Sequence, residues 1–200
     1  MQVDVSCATW QFASFVVLTA IVSSAVARDI RERRIPNSLV ILTLCSGIFL
    51  NALGPVSPLD GGGLFTRNPG ALGFGGAMLG AIVGLGVFLP FHLLRIMGAG
   101  DVKFMAGIGS FVGAAGTLSL ALFILAMGGV LAVLYMLWTR SSRQVLFNVS
   151  MAVSQVLMGG NAKFDPSQTA YRMPYTVAIA CGMLAYGLWH LVGGKQLIWF

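Results

Sequence analysis

The sequence predicts an all-α integral membrane protein, a bundle of six transmembrane helices forming a single domain over residues 1–200. Three observations predict it. Of the 200 residues, 57% are hydrophobic and only 9% charged. An average soluble domain carries about 25% charged residues, so these are too few to clothe a water-facing surface. Apolar runs recur at close to the ~20 residues that a helix needs to cross a ~30 Å hydrocarbon core. The cations, finally, fall unevenly between the loops. A soluble enzyme, a disordered tail and a nucleic-acid binder are excluded, although the net charge of +6 would suit the last.

The first apolar run, 10–27, is closed by the charged run 28–34, and a second, 38–53, is somewhat short. Residues 54–70 are rich in Gly and Pro, hold Asp60, Arg67 and Asn68, and read as a connecting loop. A third run covers 71–94 and ends at Arg95. Residues 101–138 span 38 positions, about 57 Å of helix at ~1.5 Å per residue. That is nearly two crossings, with a turn around 113–116 or slightly later. The last run covers 174–192.

Six crossings put the loops after runs one, three and five on one side. Those loops hold Arg28, Arg31, Arg33, Arg34, Arg95, Lys103, Arg140, Arg143, Lys163 and Arg172, and the other side keeps Arg67 and Lys195. The positive-inside rule places the cation-rich loops in the cytoplasm and the N-terminus outside. A single crossing at 101–138 would move four of those cations outside and abolish the bias. Asp4 and the lack of Lys or Arg before Arg28 do not fit the basic start of a removable signal peptide, so the first run is expected to persist as an anchor. In 144–158, Val145, Val149, Ala152, Val153 and Val156 recur at helical spacing between polar residues. This predicts an amphipathic helix, either at the cytoplasmic interface or packed on the bundle.

Cys7, Cys45 and Cys181 are scattered and form no C-x-x-C pair, so no zinc or redox site is expected. His92 and His190 sit near span ends among apolar residues and read as packed or interfacial. Neither a metal nor a cofactor is expected. Of the six acidic residues, Asp4, Asp60 and Asp165 fall in tails or loops, and Glu32 stands among arginines that would pair with it. Asp29 and Asp101 differ. They are separated by 72 positions, yet the topology places both at one depth on the cytoplasmic side. Singly, Asp29 could be a loop charge, and Asp101 could cap a helix starting at Val102. Together, two ionisable residues at membrane depth mark a functional candidate. Gly98 and Gly100, ahead of Asp101, permit positive φ and close approach of another backbone, so that a peptide could lie extended beside the carboxylate. Two carboxylates in one site do not both ionise easily; one keeps its proton beside an anionic base. The anion can activate a water and the acid can polarise a scissile carbonyl.

Asp29 with Ile35-Pro36-Asn37, then Gly98-Ala99-Gly100-Asp101-Val102-Lys103-Phe104-Met105-Ala106, and late in the chain Met173-Pro174-Tyr175-Thr176-Val177-Ala178-Ile179-Ala180, resemble the motifs of the type IV prepilin peptidases. The resemblance covers nearly the whole chain. It implies an aspartic endopeptidase of the bacterial inner membrane that clips the basic leader from prepilins just after a glycine, at the cytoplasmic face. Asp29 and Asp101 match the family's catalytic aspartates. Lys103 matches a lysine that usually follows the Gly-x-Gly-Asp motif, with a structural or substrate-orienting role. Pro36, Asn37, Pro174 and Tyr175, with Gly98 and Gly100, stand as supporting or substrate-binding positions. The larger family members also N-methylate their product and carry paired C-x-x-C motifs between the first two spans. Here about ten residues join those spans and the cysteines are absent. This points to the compact branch that serves tight-adherence (Flp-type) pili, called TadV- or CpaA-like, and away from methyltransferase activity.

Other readings stay open on the residues alone. Presenilin-type intramembrane proteases share Gly-x-Gly-Asp, but their first aspartate follows a tyrosine where this chain has Arg28. An archaeal preflagellin peptidase is closer. The non-enzyme alternative is a small transporter or a subunit of a membrane machine. Transporters place ionisable residues near mid-bilayer at broken helices, whereas both aspartates here fall at a span end.

Overall fold

A computed structural model describes residues 5–56, 62–65, 70–94, 97–139 and 175–192. These hold six helices: α1 (Val5–Glu32), α2 (Asn37–Leu53), α3 (Gly73–Leu93), α4 (Ala99–Val112), α5 (Ala114–Thr139) and α6 (Tyr175–Leu191). α1, α3 and α5 contain stretches long and apolar enough to cross a membrane, and α2 and α6 are shorter apolar helices. Among the described residues the named elements are all helices, as expected, and three of the six are long and apolar enough to cross a membrane. The expected amphipathic helix at 144–158 lies outside the described residues.

Consecutive helices run antiparallel, and α4 sits at the centre between α2 and α3. Its 14 residues make only about 21 Å of helix at ~1.5 Å per residue, less than a hydrocarbon core. Val102 and every residue from Phe104 to Val112 are buried. Small residues let its backbone come so close. A Cβ on Gly80 of α3 would run into the Gly109 carbonyl oxygen of α4, and a Cβ on Gly84 would stand 2.5 Å from the Met105 carbonyl oxygen. Gly80 and Gly84 are four positions apart, so both fall on one face of α3. This spacing of small residues is typical of helices that pack in lipid, where close backbone approach drives association. On the other flank, Gly107 leaves 2.9 Å between its would-be Cβ and Thr43 of α2.

The turn expected at 113–116 falls at Gly113, whose φ of 81° is the left-handed region that glycine tolerates. Its N–H closes α4 on the Gly109 carbonyl at 2.9 Å, and its own carbonyl accepts the Thr117 N–H at 2.9 Å. At the end of α2, the buried Asn51 amide donates to the carbonyls of Gly47 (3.1 Å) and Ser110 (2.9 Å) and accepts the Leu72 N–H (3.0 Å). One side chain thus ties α2, α4 and the start of α3, supplying partners that the apolar interior lacks.

α1 is longer than the apolar run 10–27. Its 28 residues reach about 42 Å, and the charged stretch through Glu32 is helical because Arg and Glu are good helix formers. Arg33, with φ of 52°, ends it by donating its N–H to the Asp29 carbonyl oxygen at 2.8 Å. The buried positions on α1 are Cys7, Trp10, Ser14, Leu18, Ile21, Val22, Ala25 and Asp29. Apart from the adjacent Ile21 and Val22, steps of three and four make a single stripe down one face. Trp10 donates its indole N–H to the Leu50 carbonyl of α2 at 2.9 Å, pinning one end of α1; the other end is held by Asp29.

Candidate active site

Asp29 stands where the buried stripe of α1 continues into the charged last turn. It is 7% exposed, while Arg28, Arg31, Glu32, Arg33 and Arg34 around it are all exposed. The helical period alone separates them: Asp29 lies one turn beyond Ala25 and faces the bundle, and its neighbours do not. Glu32, expected to pair with the arginines, projects outward with them. Oδ2 of Asp29 accepts a hydrogen bond from Oγ1 of Thr176 at 2.5 Å. Thr176 is 1% exposed and is the second residue of α6. The amides of that first turn have no partner within their own helix, and the helix dipole is positive there. An anionic carboxylate is well placed at such a terminus.

Asp101 is the third residue of α4, because the helix opens at Ala99 and not at Val102. Gly98 is the N-cap, in extended conformation (φ −69°, ψ 147°), and its carbonyl accepts the Val102 N–H at 3.3 Å. The half-buried Asp101 carboxylate reaches back to accept the Gly98 N–H, the arrangement in which a third-position acid satisfies the N-cap amide. The two carboxylates lie within electrostatic reach of each other, so two residues 72 positions apart share one site.

The glycines of the motif work differently from the expectation. Neither Gly98 nor Gly100 has positive φ. A Cβ on Gly98 would stand 3.0 Å from Oδ2 of Asp101, so its missing side chain leaves room for the carboxylate. A Cβ on Gly100 would meet Cβ of Ile35 at 3.5 Å and its carbonyl oxygen at 3.6 Å. The backbone that passes Gly100 is thus the chain's own, in the α1–α2 connection.

Tyr175, the first residue of α6, is half-buried and lies within electrostatic reach of Asp101. Its phenol oxygen is 3.7 Å from where a Cβ on Gly128 of α5 would stand. Pro36 is the N-cap of α2 at φ −67°, and its carbonyl accepts the Leu39 N–H at 3.0 Å. It starts the helix, and Asn37 behind it is exposed. Lys103 is exposed too. Two positions along a helix turn it by about 200° from Asp101, away from the carboxylate. Pro174 lies outside the described residues. Five of the expected positions, Asp29, Gly98, Gly100, Asp101 and Tyr175, therefore gather at one end of the bundle, while Asn37 and Lys103 face outward. Thr176 was not among the expected residues, although it stands directly after Tyr175 in the late motif. Serine and threonine in helices usually bond a carbonyl one turn back, as Ser24, Thr43, Ser46, Thr117 and Ser119 do here, so a hydroxyl alone gave no signal.

The described residues thus form an apolar helical bundle with two carboxylates within electrostatic reach of each other at one end, the class of a membrane protein with an ionisable site at its edge. Residues 16–137 match the type IV leader peptidase family, and the chain belongs to that family. It is a peptidase, and the apolar helices fit a multi-pass membrane protein. Neither a curated protein nor a solved structure matches the chain.

Proposed function

We propose that this leader peptidase removes the basic leader from Flp-type prepilins of tight-adherence pili, at the cytoplasmic face of the bacterial inner membrane, with Asp29 and Asp101 as its catalytic pair. The observation that carries the reading is that these two carboxylates lie within electrostatic reach of each other at one end of the bundle, with Thr176 bonded to Asp29. Among the described residues, no three His, Cys, Asp or Glu side chains group as a metal site, and the two carboxylates suffice for general acid and base roles. Two like charges in one site oppose each other, so one carboxyl holds a proton and the other is charged. The charged one takes a proton from a water as the water oxygen bonds to the scissile carbonyl carbon. The neutral one gives its proton to the carbonyl oxygen. As the diol collapses, the carboxyl that took the water's proton gives it to the leaving nitrogen, the C–N bond breaks, and the other carboxylate takes a proton from one diol hydroxyl, leaving an amine and a carboxylic acid. One water is consumed and both carboxyls are restored.

The topology agrees with this substrate. A prepilin has a basic leader in the cytoplasm followed by an apolar helix in the bilayer, so its cut bond lies near the cytoplasmic surface. Six crossings with the N-terminus outside would put the Asp29 end of the bundle there. Only residues 33–36 join α1 to α2, which leaves no room for the cysteine-bearing insertion of the methylating enzymes and favours the compact, TadV- or CpaA-like branch. The decisive experiment is co-expression with a prepilin, comparing wild type with Asp29→Ala and Asp101→Ala. Both variants are expected to leave the leader attached. Processing at the wild-type rate by either one would refute the pair.

A further inference from the structure

Asp29 has one oxygen engaged before any substrate arrives. The Thr176 hydroxyl donates to Oδ2 at 2.5 Å. Second in its helix, Thr176 has no carbonyl one turn back within α6, unlike Thr43 and Ser46, which bond such carbonyls within α2. It is also buried, so water does not compete. Asp29 sits in the last turn of α1, next to the helix end at Arg33, where a side chain unsupported by its neighbours would sample several rotamers. A hydrogen bond to one oxygen removes that freedom. The bond also crosses the bundle: α1 and α4 carry the two carboxylates, and α6 supplies the brace. Thr176 lies beyond the residues 16–137 that match the family, so the brace belongs to a part of the chain the family match leaves uncovered.

We propose that Thr176 is a positioning residue that orients the Asp29 carboxylate through this hydrogen bond, so that the geometry of the pair depends on the first turn of α6. The proposal rests on the reading of Asp29 as catalytic. Thr176 acts on the reaction through Asp29 and does not touch substrate. Losing the bond should therefore slow turnover and leave substrate binding intact.

The test uses the full chain, purified in detergent, and a synthetic substrate with a basic leader ending in glycine and followed by an apolar helix. Thr176→Val and Thr176→Ala remove the donor; Thr176→Ser keeps it. Misplacing a catalytic group by about 1 Å can cost on the order of 100-fold. Val and Ala are accordingly expected to lower kcat by roughly 10- to 100-fold with KM within about twofold, and Ser to stay within about threefold of wild type. Ser and Ala differ by the hydroxyl alone, so their kcat ratio isolates the donor even if the Val variant folds badly. The proposal is overturned if Ala turns over like Ser, if Ser falls with Ala, or if the loss appears in KM alone. Asp29→Ala, assayed alongside, separates the two levels. If it is inactive while Thr176→Ala is normal, only the brace fails; if it is active, the catalytic reading itself fails.

Discussion

Asp29 lies four positions after Ala25 on α1 and continues the same buried stripe, at 7% exposure against 0% for Ala25. The burial of a carboxylate in a run of exposed arginines is thus a matter of helical phase. One alanine inserted between Ala27 and Arg28 would rotate everything beyond it by about 100°. Asp29 would leave the bundle face and lose Thr176. Leader cleavage is expected to fall to the level of Asp29→Ala, while membrane insertion, set by the apolar run before it, stays normal. Cleavage at the wild-type rate would mean that the buried phase of Asp29 is irrelevant.

The two glycines ahead of Asp101 are expected to respond unequally to alanine. At Gly98 the added carbon stands 3.0 Å from Oδ2 of Asp101, so the carboxylate must move. At Gly100 it meets Ile35 at 3.5 Å, an ordinary contact. If Asp101 has the catalytic role proposed for it, Gly98→Ala should reduce turnover by roughly tenfold or more, following the cost of displacing such a group. Gly100→Ala should stay within about threefold, as substitutions without a clash usually do. Equal losses at both positions, measured as leader cleavage per folded enzyme, would count against this account.

That Asp29 and Asp101 would come to one end was legible in the sequence, because it needs only that successive apolar runs alternate in direction. The turn at Gly113 was legible as well, since 101–138 is too long for one crossing. The start of α4 was not. Gly98-Ala99-Gly100 reads as a loop, and the helix there is held by Asp101 bonding back to Gly98, a contact that spacing does not reveal. Nor was the central place of α4: an apolar segment of 14 residues does not announce whether it meets lipid or other helices. Thr176 was the least visible, since its bond to Asp29 spans 147 positions and depends on how α1 and α6 lie together.

Lys103 belongs to the motif by position but not by direction. It is exposed and turned from Asp101 along the helix. Lys103→Gln is expected to leave kcat within about threefold of wild type and thermal stability nearly unchanged, as for most surface substitutions. An effect confined to KM would identify it as a contact for substrate or lipid headgroups. A collapse of kcat would place it in the chemistry, against its exposure.

The site depends on the close approach of α3 and α4, which makes Gly80 a control point far from the carboxylates. A Cβ there would collide with the backbone of Gly109 and stand 2.8 Å from Cα of Gly113. Backbone cannot swing aside as a flexible side chain can, so the helices must part. Overpacking of this kind costs about 1–3 kcal/mol, and Gly80→Ala should lower the midpoint of thermal unfolding in detergent. Gly75, on the same helix, has nothing within 4 Å of a would-be Cβ. Gly75→Ala should be neutral or slightly stabilising, because alanine favours a helix over glycine by roughly 0.5–1 kcal/mol. Since α4 carries Asp101 at its other end, Gly80→Ala is also expected to slow cleavage at temperatures where the protein remains folded. Equal unfolding midpoints for the two variants would show that the α3–α4 contact is looser than the glycine spacing implies.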